Sequence, residues 1–115
     1  MRDLDHGFTF LALACNHEKY IIEHLESIKY LVECYGSSIN CKLIINDDYS
    51  KDRTIELIDG WLSQNLSLFH TVVKLYNKNN LGTCTSLINM LSHVDTAYLK
   101  LTACDDVYSF ENIFE

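Results

Sequence analysis

Two pairs of adjacent aspartates, Asp47-Asp48 and Asp105-Asp106, each follow a short apolar run, Leu43-Ile44-Ile45 and Tyr98-Leu99-Lys100-Leu101. If those runs are parallel strands of one sheet, the four carboxylates gather on one rim. Their mutual repulsion then has to be relieved by a cation or by a ligand rich in hydrogen-bond donors. The chain has no glycine-rich loop with a following lysine of the kind that cradles phosphates. Bound Mg²⁺ or Mn²⁺ would relieve the repulsion, because a hard divalent cation is held by carboxylate oxygens.

The elements that must position these groups are legible in the apolar pattern. Residues 8–14 form a continuous apolar run, as expected of a strand covered on both faces. Asn16 is placed to cap a helix whose apolar positions Ile21, Ile22, Leu25, Ile28, Leu31 and Val32 recur at helical spacing until Tyr35-Gly36. A second strand spans residues 42–45. Beyond the turn at Asn46-Asp47-Asp48-Tyr49-Ser50, Asp52 should cap a helix burying Ile55, Ile58, Trp61 and Leu62, and residues 63–66 should break it. The β-branched run at 71–76 reads as a third strand, followed by the polar loop 77–82 and a short helix around Leu87, Ile88 and Leu91. Residues 97–102 make a fourth strand, and a further helix begins near Ser109. Alternating strands and helices with right-handed crossovers predict a three-layer α/β/α fold with a mainly parallel, Rossmann-like sheet. Ligands of such open sheets bind beyond the carboxyl ends of the strands.

Composition narrows the function. The chain has 115 residues, 48% of them hydrophobic, enough for one domain with one core. A net charge of -7 with scattered lysines and arginines argues against a nucleic-acid binder. The acidic start lacks the character of a signal peptide, and no apolar run is long enough to span a bilayer, so a cytoplasmic place is expected. The five cysteines form no Cys-x-x-Cys pair and are expected to be reduced, most behaving as small core hydrophobes. The histidines show no metal spacing, and surface or partly buried places are expected for them. Tyr20, Tyr30, Trp61 and Phe69 are expected to pack helices on the sheet.

Three segments, each at a strand exit, carry a resemblance. They are Ala14-Cys15-Asn16-His17-Glu18-Lys19-Tyr20-Ile21 with Leu25-Glu26-Ser27-Ile28, then Asn46-Asp47-Asp48-Tyr49-Ser50-Lys51-Asp52-Arg53-Thr54, then Asn79-Asn80-Leu81-Gly82 followed by Ala103-Cys104-Asp105-Asp106. In this order the set resembles the nucleotide-sugar-binding half of family 2 glycosyltransferases, which have the GT-A fold; the likeness covers residues 8–115. The resemblance implies a nucleotide site at Ala14, Cys15, Asn16, Glu18, Asp47, Asp48, Gly82, Cys104 and Asp105, with Asp48 in reach of a base N–H. Such a charge-assisted bond is worth on the order of 1.5–3 kcal/mol. It implies a metal, Mg²⁺ or Mn²⁺, at Asp105 and Asp106. A uridine-diphosphate sugar is the donor expected from family habit, and the acceptor is a glycan or lipid-linked hydroxyl met by a later segment.

The chain departs from the family pattern at four places. Ala103 stands where the first aspartate of an Asp-x-Asp motif is usual, Cys15 where an aromatic is common, Leu13 where proline is frequent, and Leu87 where an arginine is often found. Inverting transfer needs a general base, which the family supplies from a segment beyond residue 115. The chain is therefore expected to be the donor-binding portion of a longer, polysaccharide-building enzyme, membrane-peripheral at most, inactive alone and prone to self-association through its uncovered sheet edge.

Blander readings stand beside this one. Asp47-Asp48 could be a solvated turn, Asn16 a helix cap, and Gly82 a source of positive φ instead of a close approach to ligand. A receiver-type signalling domain has a similar sheet but needs its acidic pair after the first strand, where this chain has Cys15-Asn16. A non-catalytic α/β interaction module with a structural acidic rim is the remaining alternative.

Overall fold

The structure, a computed structural model, describes residues 5–35 and 40–103. Four strands, β1 (Asp5–Ala14), β2 (Cys41–Asp47), β3 (Thr71–Tyr76) and β4 (Thr96–Ala103), alternate with three helices, α1 (Ile21–Tyr35), α2 (Thr54–Asn65) and α3 (Thr83–Leu91). All pairings are parallel, in the order β3-β2-β1-β4. The expected α/β/α, Rossmann-like architecture is thus present.

Topology decides which face each helix covers. The chain steps in one direction from β1 to β3 and then returns to the far side of β1 for β4. With right-handed crossovers, α1 and α2 fall on one face and α3 on the other. On the first face Phe10, Ala12 and Ala14 of β1 with Leu43 and Ile45 of β2 pack against Ile21, Leu25, Ile28 and Leu31 of α1 and Ile58, Trp61 and Leu62 of α2. The intervening side chains Leu11 and Ile44 point the other way, to Met90 of α3, with Leu13, Val73, Leu75 and Val94 around them. Each fully buried Leu or Ile contributes roughly 1.5–3 kcal/mol, so the larger α1/α2 face dominates the stability of the domain.

Several expectations needed correction. α1 begins at Ile21, because residues 18–20 first form a turn in which the amides of Tyr20 and Ile21 bond the carbonyl of His17. α2 runs on through Asn65 and passes into a 3-10 turn over Leu66–Leu68. Its polar end is compatible with helix, since Ser63 and Asn65 bond back to the carbonyls of Gly60 and Trp61. α3 buries Ser86 and Met90 and leaves Ile88 and Leu91 exposed, so the apolar face inferred from sequence is turned. Trp61 and Phe69 are buried as expected, whereas Tyr20 and Tyr30 are partly exposed, at 45% and 39%. His24 is fully buried on α1. Among the described cysteines all are unbridged and Cys41 is buried, but Cys34 and Cys84 are exposed.

Candidate functional site

Register brings the strand exits together. Ala14 pairs with Asp47, Asp47 with Tyr76, and Leu13 with Ala103, so all four strands end level on one rim. β1 exits between the exits of β2 and β4, at the point where strand order reverses. That is the crevice in which open α/β sheets bind ligands.

The loops after β1 and β2 are tied to each other along their length. The Asp48 amide bonds the Ala14 carbonyl at 2.8 Å, and the Cys15 thiol donates to the Asp48 carbonyl at 3.3 Å. The Asn16 amide reaches Ser50 Oγ at 2.8 Å, and Asn16 Oδ1 accepts from the Lys51 amide at 2.8 Å. Further along, the His17 amide bonds Thr54 Oγ1 and the Glu18 amide bonds Asp52 Oδ2. Asn16 (φ 55°) and Tyr49 (φ 60°) both sit in the left-handed region. Asn16 is therefore a tie between loops and not the cap of α1, since a capping residue has extended backbone and directs its side chain to its own helix. Asp52 acts one position ahead of the N-cap residue Arg53, accepting the amide and hydroxyl of Thr54.

The acidic pair is relieved from within the chain. Asp47 is fully buried and accepts both the amide and the hydroxyl of Ser50. Asp48, also buried, takes Asn77 Nδ2 at 3.0 Å and the Leu81 amide at 2.7 Å on one oxygen, and the Gly82 amide at 3.0 Å on the other. Burial alone would raise the Asp48 pKa, but the hydrogen bonds from Asn77, Leu81 and Gly82 outweigh it and hold the carboxyl below its ordinary value. Asp52 is lowered in the same way, against burial, by Thr54 and the Glu18 amide. Cys15 goes the other way, raised by burial and then by the negative charges of Asp48, Asp47 and Asp52. Its thiol serves as a hydrogen-bond donor to the Asp48 carbonyl.

Ala14, Cys15, Asn16, Asp47 and Asp48 are thus brought to one place, with Gly82 joined to them through Asp48. The Glu18 backbone belongs to the cluster, while its side chain is exposed. Gly82 has φ 86°, with nothing within 4 Å of where a Cβ would stand. Backbone conformation, not crowding, therefore calls for glycine there. Cys104, Asp105 and Asp106 lie outside the described residues. Among the described residues no group of three or more His, Cys, Asp or Glu side chains could hold a metal ion. Both Asp47 and Asp48 accept hydrogen bonds from within the chain.

Sequence reasoning missed the residues that organise this rim. Ser50 joins Asp47 to Asn16, Thr54 joins α2 to the first loop, and Asn77 bridges Asp48 to Ser86 Oγ. Only Ser50 had an advance signal, since a Ser three residues after an Asp suits a side-chain-stabilised turn. The others are long-range contacts that no local pattern announces.

Comparison with known proteins bears directly on this arrangement. The chain resembles S. aureus TarS 1-349 solved with UDP, at a TM-score of 0.76 and 18% identity over 93% of this chain and 30% of that one. TarS 1-349 solved with UDP-GlcNAc gives 0.72 and 19% over 88% of this chain and 27% of that one. The mannosyltransferase PcManGT from Pyrobaculum calidifontis, in complex with GDP-Man and Mn²⁺, gives 0.77 and 17% over 92% and 30%. These likenesses are of fold, and the chain spans under a third of each structure. No curated protein matches. A family model described as glycosyl transferase family 2 matches residues 10–115, from the first buried strand through both acidic pairs. The rim assembled by these strand exits is therefore that of a glycosyltransferase domain, and the chain belongs to glycosyl transferase family 2.

Proposed function

We propose that this domain holds the nucleoside diphosphate of a sugar donor at the carboxyl-end rim of its sheet. The observation that carries the reading is the mutual lacing of the loops after β1, β2 and β3, which builds a preformed shelf beside the exit of β4. Ala14, Cys15 and Asn16 line the base side with Asp47 and Asp48, Glu18 and Gly82 border it, and the family resemblance adds Cys104 and Asp105 to the nucleotide contacts. Asp48, its carboxyl held below the ordinary value and with part of its acceptor capacity already used, both fixes the 77–82 loop and accepts from a base N–H at its remaining lone pair. The adjacent carboxylates of Asp105 and Asp106 suit a hard divalent cation such as Mg²⁺ or Mn²⁺. When bound, that ion neutralises the diphosphate and its developing charge. PcManGT is solved with Mn²⁺ and GDP-Man, and TarS with UDP-GlcNAc, in support of the ligand class.

In the full-length enzyme the sugar passes with inversion to the hydroxyl of a glycan or lipid-linked acceptor, and the general base comes from a segment beyond this domain. This domain supplies the donor-binding portion of that enzyme. Heating the protein with uridine or guanosine diphosphates and Mn²⁺ tests the binding claim. A ligand at a hundred times its dissociation constant stabilises the folded state by about 2.7 kcal/mol, a rise of several degrees in Tm. No shift with any nucleotide at millimolar concentration would favour a non-catalytic module.

A further inference from the structure

Tyr49 stands at the tip of the loop after β2 with φ 60°, in a region that bulky side chains avoid. Asn16 and Tyr49 are the only non-glycine residues with positive φ among the described residues, and asparagine tolerates that conformation far better than tyrosine does. The turn itself is well used, since it lets Ser50 reach Asp47 and Lys51 reach Asn16. Glycine or asparagine would make the same turn at less cost. What needs explaining is the aromatic side chain.

Among the described residues no hydrogen bond accounts for it: Tyr49 is 44% exposed, and its hydroxyl has no hydrogen-bond partner there. Its recorded partner is the Lys51 ammonium, 5.8 Å from the ring centroid. The other exposed large apolar residues, Ile88 and Tyr98 among them, sit on ordinary backbone. Tyr49 is also held in position by its neighbours, because the Asp48 carbonyl and Ser50 Oγ are bonded to Cys15 and Asn16. An exposed ring on a strained but rigidly tied turn, beside a cation and at the ligand crevice, is the combination expected where strain serves recognition.

We propose that Tyr49 is a stacking platform for the nucleobase of the donor, with Lys51 fixing the ring on one side. The inference rests on the donor-site reading above and adds to it a substrate-contacting residue. A planar base offers the π face that an exposed Tyr ring takes up, and such stacking tolerates base identity. Tyr49 thereby does from the second loop what Cys15 on the first loop has no aromatic surface to do.

The test is titration of the protein with UDP and Mg²⁺, observing the uracil H5 and H6 resonances, for wild type, Tyr49→Phe, Tyr49→Gly and Tyr49→Asn. Gly and Asn both accept positive φ, so the fold survives either change. The proposal expects wild type and Tyr49→Phe to bind with matching affinity and to move the base protons upfield by ring current. It expects Tyr49→Gly and Tyr49→Asn to bind about tenfold more weakly and without that shift. Equal affinity and equal shifts in all four proteins would overturn the platform while leaving the donor site standing. Absence of binding by folded wild type would overturn both.

Discussion

At the scale of single residues, Asp48 shows how a carboxylate can be both structural and functional. Its three internal donors come from one segment, so it fixes the loop after β3 before any ligand arrives. Replacing Asp48 with Asn keeps the shape but turns an N–H toward one of those donors, leaving a buried amide unpaired at a cost of about 1–3 kcal/mol. Because the folded pKa lies below the ordinary value near 3.8, the stability this group contributes is complete above that value and lost as pH falls through the folded pKa. Denaturant unfolding should therefore show Asp48→Asn less stable at pH 7, with the gap narrowing in acid. A gap independent of pH would mean the charge contributes nothing. The sequence placed Asp47, Asp48, Asn16 and Cys15 at strand exits but could not show that Ser50, Asn77 and two loop amides supply hydrogen bonds to the acidic pair. Those partners lie across turns or up to 34 positions away, beyond the reach of local patterning.

At the scale of elements, apolar periodicity located the four strands and three α-helices within the described residues, most plainly β1 and β2, which are buried on both faces and read as apolar runs, but not the 3-10 turn over Leu66–Leu68. It failed on the orientation of α3. Leu87, Ile88 and Leu91 are spaced like a buried stripe, yet Met90 is the side chain that meets Leu11 and Ile44. The bonds that Asp48 and Asn77 make to Leu81, Gly82 and Ser86 fix how the helix starts, and that sets its rotation. Met90→Ala should accordingly cost about 2–5 kcal/mol, and Ile88→Glu, at 67% exposure, less than about 0.5 kcal/mol. Chemical denaturation of the two variants checks this, and the reverse ranking would contradict the packing described.

At the scale of the whole molecule, the order β3-β2-β1-β4 puts the reversal of strand order between β1 and β4. Parallel register across β1, β2 and β3 gathers residues from positions 14, 47 and 82 onto one rim. A parallel sheet with its polar strand exits on one rim was expected from the alternation of strands and helices, whereas the strand order and the end-to-end lacing of the loops were not. Among the described residues no helix is long and apolar enough to cross a membrane. The central claim is that this rim receives a nucleoside diphosphate. Amide chemical shifts of the protein titrated with UDP and Mg²⁺ test it most directly. The account predicts saturable shifts concentrated at residues 14–18, 47–51, 81–82 and 104–106. Shifts confined to the opposite end of the sheet, or none at millimolar nucleotide, would contradict it.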